Sequence, residues 1–355
     1  MMSTLDPQEV IDLCVSHGFA SAGITTAQST AYDSEFQIWL EDGKHGEMDW
    51  LSRNVAKRLN PIDLVPHAKS IICVADRYSQ LESNEGSQRG GLVARYARGS
   101  DYHKVMRKRL HAICDELSEL CDDTFRACVD TAPLLEREHA ARAGLGAIGK
   151  HTLLIEQGVG SWLLLGAIVT TAEITATETT PIDPCSTCTK CIDACPTDAI
   201  TPWSVDATKC ISYLTIEHRS KIDPRFFGAI GEWLFGCDIC QEVCPHNQPT
   251  SLTERKPIND AYKERFQSLD IFEVLQWSED DRRRVFAGSA MKRAKLDMIR
   301  RNAIIVVGNL LSQMEDAELL NKIKAIASDQ DEEAMVRDTA IAVLENRAVG
   351  FQSNF

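Results

Sequence analysis

One run of cysteines constrains this chain more than any other feature of its sequence. Four cysteines follow the spacing C-x2-C-x2-C-x3-C, and a proline comes directly after them: Cys185, Cys188, Cys191, Cys195 and Pro196. This is the spacing of bacterial ferredoxins, in which three of the cysteines hold one [4Fe–4S] cluster and the fourth ligates a second cluster. The run therefore predicts a ferredoxin-like segment with two clusters, which carry electrons one at a time.

A second run of cysteines is incomplete. It keeps the C-x2-C-x3-C part and the following proline: Cys237, Cys240, Cys244 and Pro245. Leu234 occupies the position of the missing cysteine, and Cys210 is the spare cysteine of the segment, so we infer that Cys210 supplies the ligand. Eight thiolates then serve two clusters. The first cluster takes Cys185, Cys188, Cys191 and Cys244, and the second takes Cys195, Cys210, Cys237 and Cys240.

Zinc is the alternative metal for these cysteines, because two C-x2-C pairs can give four thiolates to one zinc ion. A run of four cysteines that ends in proline fits a zinc site poorly, so the sequence favours iron–sulfur clusters. The other five cysteines of the chain are scattered through apolar stretches and are expected to be buried core thiols. They are Cys14, Cys73, Cys114, Cys121 and Cys128.

Nothing in the first residues or in the hydropathy of the chain indicates export or a membrane. The start has no basic region followed by an apolar stretch, and it has no twin-arginine signal. The longest apolar run, residues 162–169, is far too short to span a bilayer. We therefore expect a cytoplasmic protein, in which cysteines stay reduced and serve as metal ligands rather than as disulfides. We also expect a monomer, although no sequence feature decides the oligomeric state.

The pattern along the chain predicts an α+β protein of several domains. Residues 1–175 have a mixed α/β pattern, residues 176–250 contain the ferredoxin-like segment, and residues 251–355 are expected to be helical. Two similar stretches, 301–307 and 337–343, lie 36 residues apart within the last of these. That spacing is typical of HEAT-like helical repeats, although two copies fit an ordinary helical domain equally well.

Short apolar runs and helical periodicity predict the main elements of the first domain. Residues 70–75 and 162–169 are expected to form buried strands. Residues 7–17 and 101–120 have helical spacing of their apolar positions. Residues 170–184 are rich in threonine and contain two prolines, which indicates a linker before the cysteines.

The stretch 144–150 (GLGAIGK) matches two nucleotide-binding patterns at once, G-x-G-x-x-G and G-x4-G-K. A dinucleotide fingerprint requires a strand just before it, whereas residues 134–143 have a helical pattern. A P-loop requires Ser or Thr after the lysine, and His151 occupies that position. We therefore expect the end of a helix and a tight glycine turn. A turn that lets a flat cofactor approach the backbone is the alternative.

The chain is acidic overall, with a net charge of −14 from 38 basic and 52 acidic residues, which disfavours general nucleic-acid binding. A local excess of basic residues nevertheless lies near the C-terminus. Such a cluster can neutralise phosphates, and a solvated helix face balanced by nearby aspartates explains it equally well. Its members are Arg282, Arg283, Arg284, Lys292, Arg293, Lys295, Arg300 and Arg301.

Several short blocks outside the first cysteine run occur in a specific order. They are residues 45–53 (HGEMDWLSR), 94–103 (ARYARGSDYH), 129–133 (VDTAP), 143–150 (AGLGAIGK) and 235–245 (FGCDICQEVCP). In these blocks the chain resembles the epoxyqueuosine reductases, over a range from about residue 5 to 345. The resemblance implies an N-terminal cobalamin-binding catalytic domain, two [4Fe–4S] clusters and an external electron donor. The implied reaction reduces epoxyqueuosine to queuosine at the wobble position of tRNA, the last step of queuosine synthesis.

The resemblance also suggests roles for individual residues. Asp130 is expected to be the acid for the departing epoxide oxygen, with a pKa that burial over the corrin raises; a turn-capping aspartate is the alternative. Contacts to corrin side chains or to tRNA are expected from Arg53, Arg95, Tyr96 and His151. Each of these four could equally be a surface ion pair, a capping group or a core residue. The residues that the resemblance favours as contacts to the anticodon stem are Arg282, Arg283, Arg284, Lys292, Arg293 and Lys295.

Two other functions remain open at this point. A cytosolic reductive dehalogenase that pairs a corrinoid with two clusters would act on small halogenated molecules without RNA. A simple electron carrier would bind clusters but no corrinoid. The roughly 175 residues ahead of the clusters argue against the carrier, which does not need them.

Overall fold

The computed structural model of the chain describes residues 5–80, 88–179, 182–250, 256 and 258–349. Its strands, labelled in chain order, are β1 Ser21–Thr26, β2 Ser70–Arg77, β3 Gly90–Val93, β4 Phe125–Cys128, β5 Ala147–Ile148, β6 Leu154–Ile155, β7 Leu163–Thr170, β8 Ile200–Thr201, β9 Ser204–Val205, β10 Trp233–Phe235 and β11 Ser268–Asp270. Its α-helices are Pro7–Ser16, Asp33–Glu41, Val55–Leu59, Pro61–Leu64, Tyr102–Leu120, Glu136–Arg142, Lys190–Asp193, Ile211–Ile216, Phe227–Ile230, Ile239–Glu242, Ile271–Val274, Glu279–Val285, Leu296–Gln313, Ala317–Ser328 and Ala334–Val349. Short 3-10 helices are Arg95–Ala97, Pro224–Phe226, Pro245–Asn247, Asp260–Tyr262 and Ala290–Arg293.

A four-stranded sheet forms the centre of the N-terminal region, in the order β1-β2-β7-β4. Every residue of β2 is buried, because apolar cores cover both faces of the sheet, and this explains the continuous apolar run in its sequence. The strands predicted at 70–75 and 162–169 are confirmed, with ends shifted by one or two residues. All pairs in the sheet are antiparallel. The N-terminal region therefore lacks the parallel βαβ units of an α/β fold. The predicted α/β class of this region is corrected to α+β.

Helices on this sheet bury one apolar stripe each. Helix Tyr102–Leu120 is capped by the Asp101 side chain, and its buried residues recur every three or four positions, which is the period of an amphipathic helix. Burial of one such aliphatic side chain contributes roughly 1.5–3 kcal/mol to folding. The helices predicted at 7–17 and 101–120 are confirmed. The buried apolar residues of the long helix are Met106, Leu110, Ile113, Cys114 and Leu117.

A second sheet joins three distant parts of the chain. β3 lies in its centre, with β10 parallel on one side and β11 antiparallel on the other. Val93 belongs to the same buried core as Leu234 and Ile304. One strand of this sheet therefore comes from each of the three predicted domains, and the domains share a core. The boundaries at 175 and 250 stay predictions about the sequence.

The C-terminal region is helical, as predicted. The two similar stretches lie in the first and third of its long helices, which pack so closely that a Cβ atom on Gly308 would come within 2.8 Å of Val343 Cγ1. The relation of these helices to HEAT repeats stays a prediction. Across the described part of the chain, no helix combines the length and the apolar character needed to cross a bilayer.

Candidate active site and cluster segment

Short helices position the cysteines of both runs. Cys191 and Cys240 each lie in a helix of 4 residues, so the two runs have matching backbone paths. Cys210, remote from both runs in sequence, is the N-cap of helix Ile211–Ile216. Burial raises the pKa of the Cys210 thiol, while backbone N–H groups of that helix oppose the rise. Amides at a helix N-terminus favour a thiolate, which is the form that binds metal.

The thiols fall into two adjoining sets of four by electrostatic proximity. Burial raises the pKa of Cys191 in one set and of Cys240 in the other, and neighbouring thiols raise it further. Around Cys191 those neighbours are Cys185, Cys244 and Cys188. Around Cys237 and Cys240 they are Cys210, Cys195 and, from the other set, Cys191. These are the two sets that the sequence assigned to two clusters, and the role of each thiol as a ligand stays a prediction.

The glycine turn at 144–150 packs against the loop of the first set. Helix Glu136–Arg142 ends just before it, and Gly144 has a φ of +83°, a conformation that favours glycine. The predicted helix end and turn are confirmed. Lys150 donates its backbone N–H to Cys185 Sγ at 3.3 Å and its ammonium to two carbonyls of the cysteine loop at 2.7 and 3.0 Å. The turn therefore holds the cysteine loop and brings a positive charge beside it.

Asp130 occupies the centre of a strained turn that follows β4. Its φ is +48°, and across it the N–H of Thr131 donates to Val129 O at 2.5 Å. A three-residue turn of this kind, with positive φ at its central residue, is a rare and strained γ-turn. Glu136 accepts the backbone N–H of Asp130 at 2.7 Å. Because backbone strain concentrates at functional sites, the turn supports Asp130 as a functional candidate.

The carboxylate of Asp130 is bound by His103, to which the sequence gave no role of its own. His103 lies in the first turn of helix Tyr102–Leu120 and donates from Nε2 to Asp130 Oδ2 and from Nδ1 to Asp101 Oδ1, at 2.9 Å each. Burial disfavours the charged imidazole, but the two carboxylates outweigh burial and raise the pKa of His103 to about 9. The imidazole is therefore positively charged at neutral pH.

The protein alone lowers the pKa of Asp130, whereas the prediction was that burial over the corrin raises it; the effect of the corrin stays a prediction. Burial favours the neutral acid, but the hydrogen bond and the charge of His103 outweigh burial and favour the carboxylate. Of the two carboxyls at this turn, Glu136 has the raised pKa: burial and the neighbouring charge of Asp130 raise it to about 8. At pH 7 an ionised Asp130 thus lies between two groups that carry protons, His103 and Glu136.

Asp130 lines a cleft rather than the outer surface. Its side chain is 53% exposed, yet desolvation is the largest influence on its pKa. Arg137 shows the same combination, since it is exposed while burial lowers its pKa. A group that water reaches while protein surrounds it on most sides lies in a concavity. Arg137 also interacts electrostatically with Cys240, so the second set of cysteines lies close to this side of the cleft.

Tyr96 lies at this cleft, as one of the four residues predicted to contact a cofactor. Its half-buried ring packs edge-on against Tyr102, with ring centroids 6.1 Å apart. Burial raises the pKa of Tyr96, and the charge of Asp130 raises it further. Arg53 is exposed in the loop before helix Val55–Leu59, and its predicted contact stays a prediction.

The other two predicted contacts, His151 and Arg95, are buried. The Nδ1 of His151 accepts the N–H of Leu153 at 3.2 Å, so the ring proton lies on Nε2, which has no hydrogen-bond partner in the described residues. Burial lowers the pKa of His151 to about 4, which keeps the ring neutral. Arg95 donates to Asp238 at 3.2 Å and to Glu242 at 2.5 Å, on the loop that carries Cys237 and Cys240. The corrin contacts of both residues stay predictions.

Arg58 is a further charged residue of the cleft, and the sequence gave it no role. Its buried guanidinium lies 5.3 Å from the ring centroid of Trp50. Burial lowers the pKa of Arg58, while Glu136 and Asp130, within electrostatic reach, oppose that change. No short motif marks Arg58. The only signal was its position shortly after the block at 45–53.

The basic residues near the C-terminus divide into engaged and available groups. Arg301 is fully buried and donates to backbone carbonyls, so it cannot contact a phosphate. Arg300 is mostly buried and pairs with Glu332 at 2.6 Å. The arginines of helix Glu279–Val285 pair with acids of the same helix, as a solvated face would. The three that do so are Arg282, Arg283 and Arg284.

Arg293 is the basic residue that links this region to the cleft. Its guanidinium pairs with Glu217 at 2.7 Å and is 46% exposed. Asp130 and Tyr96 are among the groups that act on its pKa, which the hydrogen bond to Glu217 raises above its ordinary value. Lys292 and Lys295 are exposed beside it. A polyanion bound at these residues would therefore lie beside the entrance of the cleft.

Two family models match parts of the chain. The first, described as a 4Fe-4S double cluster binding domain, matches residues 184–247, which contain both sets of cysteines. The second, described as epoxyqueuosine reductase QueG, DUF1730, matches residues 58–131, which end at the Asp130 turn. The iron–sulfur prediction is confirmed, and the zinc alternative is not supported. Two iron–sulfur clusters beside a cleft in which His103 carries a proton define the class of this protein, which is an iron–sulfur oxidoreductase.

Similar proteins identify the family. Epoxyqueuosine reductase of Vibrio cholerae is 36% identical over 298 residues, which cover 82% of this chain and 80% of that protein. The Shewanella oneidensis enzyme is 35% identical over 95% of this chain and 87% of its own length. A crystal structure of epoxyqueuosine reductase with an epoxyqueuosine-modified stem loop of tyrosine tRNA matches with a TM-score of 0.83 and 28% identity, over 95% of this chain and 88% of that one. This chain belongs to the epoxyqueuosine reductase family, and the family predicted from the sequence is confirmed.

Proposed function

We propose that this chain removes the epoxide oxygen of epoxyqueuosine at the wobble position of tRNA and so forms queuosine. The observation that carries the proposal is the cleft that contains the His103–Asp130 pair and lies close to the second set of cysteines. Release of an epoxide oxygen as water consumes two electrons and two protons and leaves a double bond. A proton source and an electron source on one cleft meet that requirement. The clusters pass electrons singly from an external one-electron donor.

Cobalamin is the group that we propose to occupy the cleft. The fit rests on an opening that water reaches and on polar donors around it, among them Arg137 and the protonated Nε2 of the buried His151. Tyr96 and Tyr102 supply aromatic surface beside Asp130. When bound, cobalamin supplies the cobalt that reduces the epoxide carbon. The chain's own task is to orient that carbon and to exclude competing reactions.

Proton delivery falls to the pair rather than to Asp130 alone. Opening the epoxide develops negative charge on its oxygen, and a proton donor beside that oxygen lowers the barrier. His103 carries the proton at neutral pH, and the half-exposed carboxylate of Asp130 extends from it into the cleft. Asp130 Oδ2 can take the proton from His103 Nε2, and the neutral carboxylic acid so formed can then turn and donate that same proton to the epoxide oxygen. The positive imidazole then returns as the pair takes up a proton from water.

The tRNA approaches, in this proposal, over the basic residues beside the cleft. Arg293 is the best placed of them, with Lys292 and Lys295 exposed nearby. Phosphate contacts of this kind hold a nucleic acid without reading its bases. The arginines of helix Glu279–Val285 extend the same surface, although acids of that helix offset their charge. The related structure with a modified stem loop supports tRNA as the substrate.

The experiment that tests the function compares the wild-type chain with Asp130→Asn under anaerobic conditions. Each protein is reconstituted with iron, sulfide and cobalamin, reduced, and given tRNA that carries epoxyqueuosine; mass analysis of the nucleosides detects loss of one oxygen. We expect conversion by the wild type, and a rate lower by about 10²–10⁴-fold in the variant, because an amide cannot relay the proton. Absorption spectra should show that clusters and cobalamin are retained.

Each negative outcome of this experiment leads to a different conclusion. Full activity of Asp130→Asn would remove Asp130 from the reaction. Cobalamin bound without conversion of the tRNA would favour the dehalogenase alternative, which a halogenated phenol then tests. Clusters without any bound cobalamin would leave the electron carrier.

A further inference from the structure

The turn at Asp130 needs support from outside its own hydrogen bond. A conformation of this kind costs free energy and persists only where the surrounding structure over-determines it. Side chains from two other helices reach Asp130, and Tyr102 hydrogen-bonds its carboxylate beside His103. His103 binds its carboxylate, and Glu136 accepts its backbone N–H at 2.7 Å. Only the contact with Glu136 acts on the backbone, whose φ of +48° defines the turn.

Glu136 is mounted on a fixed element. It begins the helix Glu136–Arg142, in which Glu138 and His139 are buried. Glu138 accepts the N–H of Ala31 at 2.8 Å and so ties this helix to the loop after β1. A hydrogen-bond acceptor on a packed helix holds its partner more precisely than one on a loop. The helix therefore transmits its rigidity to the Asp130 turn through one carboxyl oxygen.

We propose that Glu136 is a positioning residue, which holds Asp130 in the conformation that lets its carboxylate meet both His103 and the substrate. The inference rests on the proposed role of Asp130 in proton delivery. Without the acceptor, the peptide at Asp130 relaxes out of the left-handed region and the carboxylate leaves His103. Glu136 acts through the turn and needs no contact with the substrate.

The charged groups that face Glu136 come from three other elements. Asp130 and Arg137 are its neighbours on the turn and the helix, His103 faces it from helix Tyr102–Leu120, and Arg58 acts on it from helix Val55–Leu59. The raised pKa of Glu136 means that it is mainly neutral at pH 7. A neutral carboxyl oxygen accepts a hydrogen bond as an amide oxygen does. An uncharged substitute with an oxygen in the same place should therefore serve.

The test uses Glu136→Ala, which removes the acceptor, and Glu136→Gln, which retains an oxygen acceptor. In the reconstituted enzyme we expect kcat to fall about 100-fold in Glu136→Ala, because a small misplacement of a reacting group has an effect of that size. The KM for the tRNA should not change, since no substrate contact is lost. Glu136→Gln should restore most of kcat. Glu173→Ala, at a glutamate whose side chain is 81% exposed, is the matched control and should behave as the wild type.

Residue-resolved hydrogen–deuterium exchange gives a second readout that does not depend on activity. The Asp130 amide should exchange faster in Glu136→Ala and stay protected in Glu136→Gln, because only the first loses the acceptor. Equal protection in both variants would overturn the proposal, and so would an equal loss of kcat in both. If the wild type does not convert the tRNA, the proposed function fails, while the exchange result still supports or overturns the contact.

Discussion

The cluster segment and the Asp130 cleft belong to one site, yet the chain specifies them in opposite ways. Seven of the eight cysteines lie in two short runs, where a few residues of loop and a single turn of helix fix their geometry. The cleft collects one or two residues from each of several elements, and the short sequence blocks that contain them become recognisable only as an ordered set. Metal ligands need local spacing. A tuned proton donor needs charges that only the tertiary fold brings together.

Substitution of Cys210 should have the largest effect of the variants considered. It tests whether local spacing alone specifies the cluster ligands, because Cys210 is the one cysteine of the eight that lies in neither run. Cys210→Ser should lose the second cluster, which halves the iron content from about eight to about four atoms per chain, and should abolish turnover. Iron analysis and the visible absorption spectrum measure the loss. Cys121→Ser, at a half-buried cysteine outside both sets, is the matched control. Full iron content in Cys210→Ser would show that another residue completes the second cluster.

Substitution of His103 should have a smaller effect on kcat, and that effect should depend on pH. His103→Gln should lower kcat at pH 7 by about 10²-fold, since a neutral amide has no proton to deliver. The folded pKa of His103 is raised to about 9, so the wild-type imidazole keeps its charge below that value and loses it as the pH rises through it. The ratio of wild-type to variant kcat should therefore fall as pH increases through about 9. Single-turnover assays from pH 6.5 to 10 measure it. A constant ratio across that range would contradict the assignment of the proton to His103.

The cysteine sets, the helix Tyr102–Leu120 and the two central strands could be predicted because each depends on spacing within one stretch of sequence. The direction of the Asp130 pKa could not, since the dominant partner is 27 positions away and its effect depends on a 2.9 Å contact. The sheet formed by β3, β10 and β11 could not be predicted either, because it too depends on partners that are distant in sequence. β3 has only 4 residues, and its partners follow far along the chain.

The basic residues near the C-terminus show the same limit of sequence pattern, because their burial depends on tertiary structure. Composition grouped eight of them, but Arg301 is fully buried and binds carbonyls of the residues after Cys210, so it joins the helical region to the cluster segment. Local sequence carries no record of such burial, because the neighbouring residues of helix Leu296–Gln313 are apolar for the same structural reason. Charge alone therefore cannot distinguish an arginine that contacts phosphate from a buried arginine that joins two regions of the fold.

Arg293 and Arg283 make the smallest and most selective test of that distinction. Both are exposed arginines with a carboxylate partner, Glu217 for the first and Asp280 for the second, and Arg293 has Asp130 within electrostatic reach. Arg293→Ala should raise the KM for tRNA several-fold and reduce the slope of log affinity against log salt by about one, whereas Arg283→Ala should change both less. Neither variant should alter the cluster spectrum. Equal effects would mean that the tRNA rests on the whole basic surface, and the cleft would then have no privileged entrance beside Arg293.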